Sequence, residues 1–164
     1  MTENHIKKTS LPSGFWRTPN HFLAIGFGAG YVRLCPGTIG TLVAVPMVWL
    51  MQALPWYSYI LVTLVVVILG VEICGRAAKE LGVHDHSGIV WDEIAGYMVT
   101  MWLIPEGLVW LVLGFVIFRF FDIVKPWPIN WLDDNVSGGW GIMLDDILAG
   151  IYSLICMHIV VLVW

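Results

Sequence analysis

Charge is what this sequence has least of. Of its 164 residues only 12% are Asp, Glu, Lys or Arg, about half the share of an ordinary soluble domain. Such a chain is neither an ordinary soluble domain nor a disordered one, since disorder needs low hydrophobicity and high charge. Basic residues are fewer still, eight against twelve acids, which leaves no electrostatic footprint for nucleic acid. Cysteine is sparse, and Cys35, Cys74 and Cys156 form no C-x-x-C pair, so neither a disulfide framework nor a zinc knuckle is expected. Residues 1–20 carry Lys7, Lys8 and Arg17 but no apolar stretch of the signal-peptide kind, and read as a retained polar tail. Internal repeats and low-complexity segments are missing too. What is present is apolar: 59% of residues are hydrophobic and the mean hydropathy is +0.81. The chain reads as a small, multi-helix integral membrane protein, with residues 21–164 forming a single domain.

Charge-free runs at 34–71, 94–105, 107–118 and 147–164 are continuous rather than alternating, which favours helices over strands. Pro55 divides the first run, and Pro105-Glu106-Gly107 separates the next two. About five apolar helices follow: Ile39–Leu54, Tyr57–Cys74, Ile94–Ile104, Leu108–Phe121 and Ile147–Trp164. They are short against the roughly 20 residues of a full span, so extension through charged flanks is expected. Pro46 should kink the first helix. With the N-terminus in the cytoplasm, all eight Lys and Arg fall on the cytoplasmic side, as the positive-inside rule prefers. Eleven of the twelve acids then fall there as well, Glu106 being the exception. Carboxylates beside lipid are costly and tend to be functional, so a cytoplasmic-face cation site is expected.

Four segments converge on that face: His84-Asp85-His86 leading to Asp92-Glu93 and Gly96; Arg119-x-x-Asp122-x-x-Lys125; Asp145-Asp146-x-x-Ala149-Gly150; and the loop Pro36-Gly37-Thr38-Ile39-Gly40-Thr41. Magnesium takes oxygen ligands, commonly carboxylates with phosphate oxygens and water, and Asp92, Glu93, Asp122, Asp145 and Asp146 offer them from three helices. Arg119 and Lys125 can neutralise phosphate charge. A Gly/Thr loop at a helix start offers N–H groups to an anion, and histidine suits proton transfer near neutral pH. Together these residues read as metal-assisted chemistry on a phosphate at a membrane surface. Plainer readings stand beside this one. Thr38 and Thr41 can be helix caps, and Arg119–Asp122 a structural pair. Asp133-Asp134-Asn135 reads as a solvated turn, Glu72 as a partner of Arg76, and His5, His21 and His158 as incidental. Gly26-x-x-x-Gly30 could support helix association or internal packing, so the oligomeric state stays open.

Several phosphatase chemistries are ruled out by missing motifs. No C-x5-R cysteine site, D-x-D-x-[TV] segment, P-loop or G-x-S-x-G elbow occurs. Water activated by a metal is the simplest remaining nucleophile. A cation carrier should place acids near the bilayer midplane, whereas here they gather at one face. The long aspartate pattern of the CDP-alcohol phosphotransferases is absent.

Gly-Val-His-Asp-His-x-x-Ile-Val-Trp-Asp-Glu (82–93), Asp-x-x-Lys-Pro-Trp-Pro-Ile (122–129), Asp-Asp-x-x-Ala-Gly (145–150) and Pro-Gly-Thr-x-Gly-Thr (36–41) closely resemble the bacterial phosphatidylglycerophosphatase A family over residues 20–164. The resemblance implies an all-α, Mg²⁺-dependent lipid phosphatase of the inner membrane, converting phosphatidylglycerophosphate to phosphatidylglycerol and inorganic phosphate. Mapped onto this chain, Asp92, Glu93, Asp122, Asp145 and Asp146 are expected to hold Mg²⁺. Arg119, Lys125, Thr38 and Thr41 are expected at the phosphate, and His84 or His86, with Asp85, at the leaving-group proton.

Overall fold

The structure, a computed structural model, describes residues 11–83 and 86–164. Among them there is no strand. Seven α-helices follow in order: α1 Pro19–Ala24, α2 Pro36–Gln52, α3 Trp56–Leu81, α4 Trp91–Thr100, α5 Leu108–Val124, α6 Ile129–Asn135 and α7 Gly138–Val163. Short 3-10 turns at Phe15–Arg17 and Gly26–Tyr31 precede α1 and α2.

The five expected apolar segments all appear as helices, with shifted ends. The segment 36–41, expected as a loop, is already the start of α2, because Pro36 sits in its first turn, where a fixed φ and a missing N–H suit a helix start. The helix continues through Pro46 to Gln52. Extension through charged flanks occurs in α3, which runs on past Glu72 and Arg76 to Leu81, and in α7, which begins at Gly138 ahead of Asp145 and Asp146. Gly82 stops α3 at φ 69°, its N–H returning to the Ala78 and Lys79 carbonyls.

The middle segment departs most from expectation. α4 has ten residues, nine of them buried, and packs against α2, α3, α5 and α7. At 1.5 Å per residue it rises about 15 Å, half of a bilayer's roughly 30 Å core. It is therefore an enclosed central helix, too short by itself to span such a core. α3 and α7, each 26 residues long, are long and apolar enough to cross a membrane.

Glycines set the crossings. A Cβ on Gly150 would lie 2.5 Å from the Gly96 carbonyl oxygen, and one on Gly96 would lie 2.6 Å from that of Asp146, so α4 and α7 touch backbone to backbone. Gly139 meets the Val71 carbonyl in the same way, joining α7 to α3. Gly26 faces Val90 and Ile94, and Gly30 meets the Gly88 carbonyl, so this pair packs internally.

Within residues 11–20, expected as part of a polar tail, two apolar side chains reach the core while most of the segment stays exposed. Leu11 and Phe15 are buried, and Asn20 donates to the Ile73 carbonyl of α3. His21, expected to be incidental, stacks on Phe15 with ring centroids 3.9 Å apart and meets Glu80 Oε2 at 2.8 Å. His158 has one partner, the Leu154 carbonyl at 2.9 Å. Glu72 pairs with Arg76.

Candidate active site

Three helices deliver carboxyl groups to one point. Asp92 and Glu93 lie in the first turn of α4, where the helix dipole favours negative charge. Asp146 comes from α7, brought close by the glycine crossing with α4. One ligand oxygen from each of Asp92, Glu93 and Asp146 lies within 4.8 Å of the others. Asp122, in the last turn of α5, lies close enough to Asp146 to act on it, as Asp92 does on Glu93. Arg119 pairs with Asp122 one turn earlier on α5. The start of α2 closes the group: a Cβ on Gly37 would lie 2.1 Å from Glu93 Oε1 and 3.1 Å from Arg119 Nη1. Only glycine allows the α2 backbone to come this near.

Electrostatics follow from this crowding. Burial pushes the Glu93 carboxyl well above the usual carboxylate range; the Asp92 hydrogen bond opposes this, Asp146 and Asp122 add to it, and Arg119 opposes it. Like charges this close cannot all ionise without a cation or shared protons.

Lys125 caps α5 with left-handed backbone at φ 43°. Its ammonium meets Asp145 Oδ2 at 2.7 Å and Asp133 Oδ2 at 2.9 Å. Burial alone would lower its pKa, but these two carboxylates outweigh that and hold it above the ordinary lysine value. Asp145 and Lys125, both expected at the metal or phosphate, therefore form an ion-paired group beside the centre. Asp133, expected in a solvated turn, lies within α6 as part of that group. No periodicity links positions 125 and 133 across Pro126 and Pro128, so the sequence held no signal for this contact.

The remaining expected residues divide. Thr41 is fully buried and its hydroxyl donates to the Gly37 carbonyl at 2.9 Å, which turns it inward rather than toward a phosphate. Neither threonine caps α2, whose N-cap is Cys35 with no side-chain bond. Thr38 stays half-buried in the first turn. His86 is buried, with Nδ1 accepting the Gly88 N–H at 3.0 Å. It lines a cavity of about 630 Å³ with Arg33, Tyr31, Ser87 and Pro36, the last of these preceding Gly37 at the start of α2. His84 and Asp85 lie outside the described residues.

The donor set suits a hard divalent cation. It is all carboxylate oxygen, as Mg²⁺ prefers, and Glu93 Oε2 is buried with no hydrogen-bond partner among the described residues. Fold and site thus define an all-helical protein with membrane-length helices and a buried polycarboxylate centre flanked by arginine. Residues 22–161 match the family described as Phosphatidylglycerophosphatase A, and the chain belongs to that family. It is 51% identical over 136 residues to the phosphatidylglycerophosphatase A of Escherichia coli K12, covering 82% of this chain and 79% of that one. It is 41% identical over 158 residues to that of Haemophilus influenzae, covering 94% of each. No solved structure matches.

Proposed function

We propose that the protein is a Mg²⁺-dependent membrane phosphatase that hydrolyses the terminal phosphomonoester of phosphatidylglycerophosphate in phospholipid synthesis. The products are phosphatidylglycerol and inorganic phosphate, and the site faces the cytoplasm at the inner membrane. The observation that carries this reading is the meeting of Asp92, Glu93 and Asp146 beside Asp122 and Arg119 in a chain whose 51% and 41% identical relatives bear that activity in their names.

Asp92, Glu93 and Asp146 would hold the cation, with Asp122 close to Asp146 at the flank. When bound, Mg²⁺ offsets the charge on phosphate oxygens and acidifies water. Water oxygen attacks phosphorus, the bond from phosphorus to the glycerol oxygen breaks, and that oxygen takes a proton. Arg119, held by Asp122, stabilises the charge of the phosphoryl group in transfer. The first-turn N–H groups of α2, with Thr38, orient the phosphate. His86 has its Nδ1 fixed as an acceptor by Gly88, which places the neutral ring's proton on Nε2, the atom assigned to proton exchange with the leaving oxygen. The acyl chains stay in lipid, so only the head group has to enter.

The test is phosphate release from phosphatidylglycerophosphate in detergent micelles, with Mg²⁺ and with excess chelator. Release should require the metal and disappear in Asp92→Asn, while helix content and melting temperature hold. An intact, metal-supplied wild type that releases nothing would refute the reading. Wild-type rates in folded Asp92→Asn would remove that residue from the centre.

A further inference from the structure

We infer that Asp133 is a positioning residue of the carboxylate centre, acting through Lys125 on Asp145 and thereby on its neighbour Asp146. The inference rests on the proposed cation-binding role of that centre. Three elements meet at the Lys125 ammonium: it caps α5, Asp133 projects from α6, and Asp145 from α7. Asp145 is nearly inaccessible at 9% side-chain exposure, Lys125 is 27% exposed and Asp133 39%. The pair Lys125–Asp145 is thus the inner bond and Asp133 the outer tie.

Two effects follow, and both have the same sign. Lysine is a flexible point charge on a four-carbon stem, and anchoring on two sides fixes where its ammonium sits. Asp122 lies one turn before Lys125 on α5, and Asp146 follows Asp145 on α7, so the tie sets the spacing of two carboxylates that meet in the centre. Charge acts alongside geometry. The group of Lys125, Asp133 and Asp145 carries a net charge of −1; without Asp133 it is neutral and attracts a nearby cation less. Lys125 holds its left-handed backbone at φ 43°, a conformation disfavoured for residues with a Cβ, as expected where the surrounding contacts determine it.

The experiment measures binding of Mn²⁺, as a spectroscopic stand-in for Mg²⁺, to the full chain in detergent micelles by electron paramagnetic resonance. Asp133→Asn should weaken Mn²⁺ binding roughly three- to tenfold with the melting temperature nearly unchanged, and Asp133→Glu should recover most of the loss. In a Lys125→Met background the Asp133→Asn change should add less than twofold, because residues acting as a unit are not additive. Unaltered affinity in Asp133→Asn overturns the inference, as does a lowered melting temperature with unaltered affinity. An equal further loss without Lys125 also overturns it, since Asp133 would then act by another route. A wild type that binds no Mn²⁺ defeats instead the cation reading on which the inference stands.

Discussion

Glu93 is the residue at which burial, charge and metal binding meet. Burial raises its carboxyl pKa above the ordinary value of 4.5, and the Asp146 and Asp122 charges add to the shift against the opposing Asp92 hydrogen bond and Arg119. A carboxyl raised in the fold holds its proton more tightly there than in the unfolded chain. The cation-free protein should therefore lose stability as pH climbs from the unfolded value through the higher folded one. A divalent cation has to displace that proton, so its affinity should rise with pH over the same window. Calorimetric titration in buffers of different ionisation enthalpy counts the protons released on binding. Wild type should release more than Glu93→Gln; equal counts would assign the titration elsewhere. The sequence marked both adjacent acidic pairs, and the structure treats them differently. Asp92 and Glu93 sit together in a helix's first turn, whereas Asp145 and Asp146 lie mid-helix, about 100° apart around the axis. One therefore faces the centre and the other Lys125. Adjacency alone could not tell these cases apart, because which face a residue takes depends on the neighbouring helix.

At the scale of elements, the glycine crossing of α4 and α7 holds the donor set together. The predicted change is Gly150→Ala. Its new methyl would lie 2.5 Å from the Gly96 carbonyl oxygen and 3.2 Å from Val99 Cβ, with backbone on one side unable to rotate away. Forced overpacking of this kind destabilises by about 1–3 kcal/mol, a drop of several degrees in melting temperature. Since the displaced helix carries Asp146, Mn²⁺ affinity should fall in the fraction that remains folded. A stable variant with native affinity would show that the helices separate without disturbing the centre. The apolar helices were legible because charge-free runs and the breaks at Pro55 and Pro105 mark where helices start and stop. The enclosure of α4 was not, since an apolar side chain reads the same whether it faces lipid or protein. α1 and α6, with six and seven residues, are too short to form on local propensity and are held by contacts such as His21–Glu80 and Lys125–Asp133.

Across the whole molecule, polarity is arranged inside out and end to end. α7 buries Asp145, Asp146 and Ser153 while leaving Ile151, Ile155, Ile159 and Leu162 exposed, the reverse of a helix that faces water. The described Lys and Arg residues sit at the end where α2 and α4 begin and α3 and α5 finish, together with exposed Trp16, Trp127, Trp131 and Trp140; exposed Trp49, Trp56 and Trp164 mark the other end. Tryptophans at two levels fit the two interfaces of a bilayer, and under the proposed orientation the basic end is the cytoplasmic one. Native cysteines report this orientation without altering a residue. Cys35 is exposed at the N-cap of α2 beside the candidate site, Cys74 is buried, and Cys156 lies in the apolar body of α7. A membrane-impermeant maleimide should label Cys35 in inverted inner-membrane vesicles and leave it untouched in intact spheroplasts, with Cys74 and Cys156 unlabelled in both. Labelling from the spheroplast exterior would turn the molecule over, place the carboxylate centre on the periplasmic face, and require the phosphate ester to be presented from there.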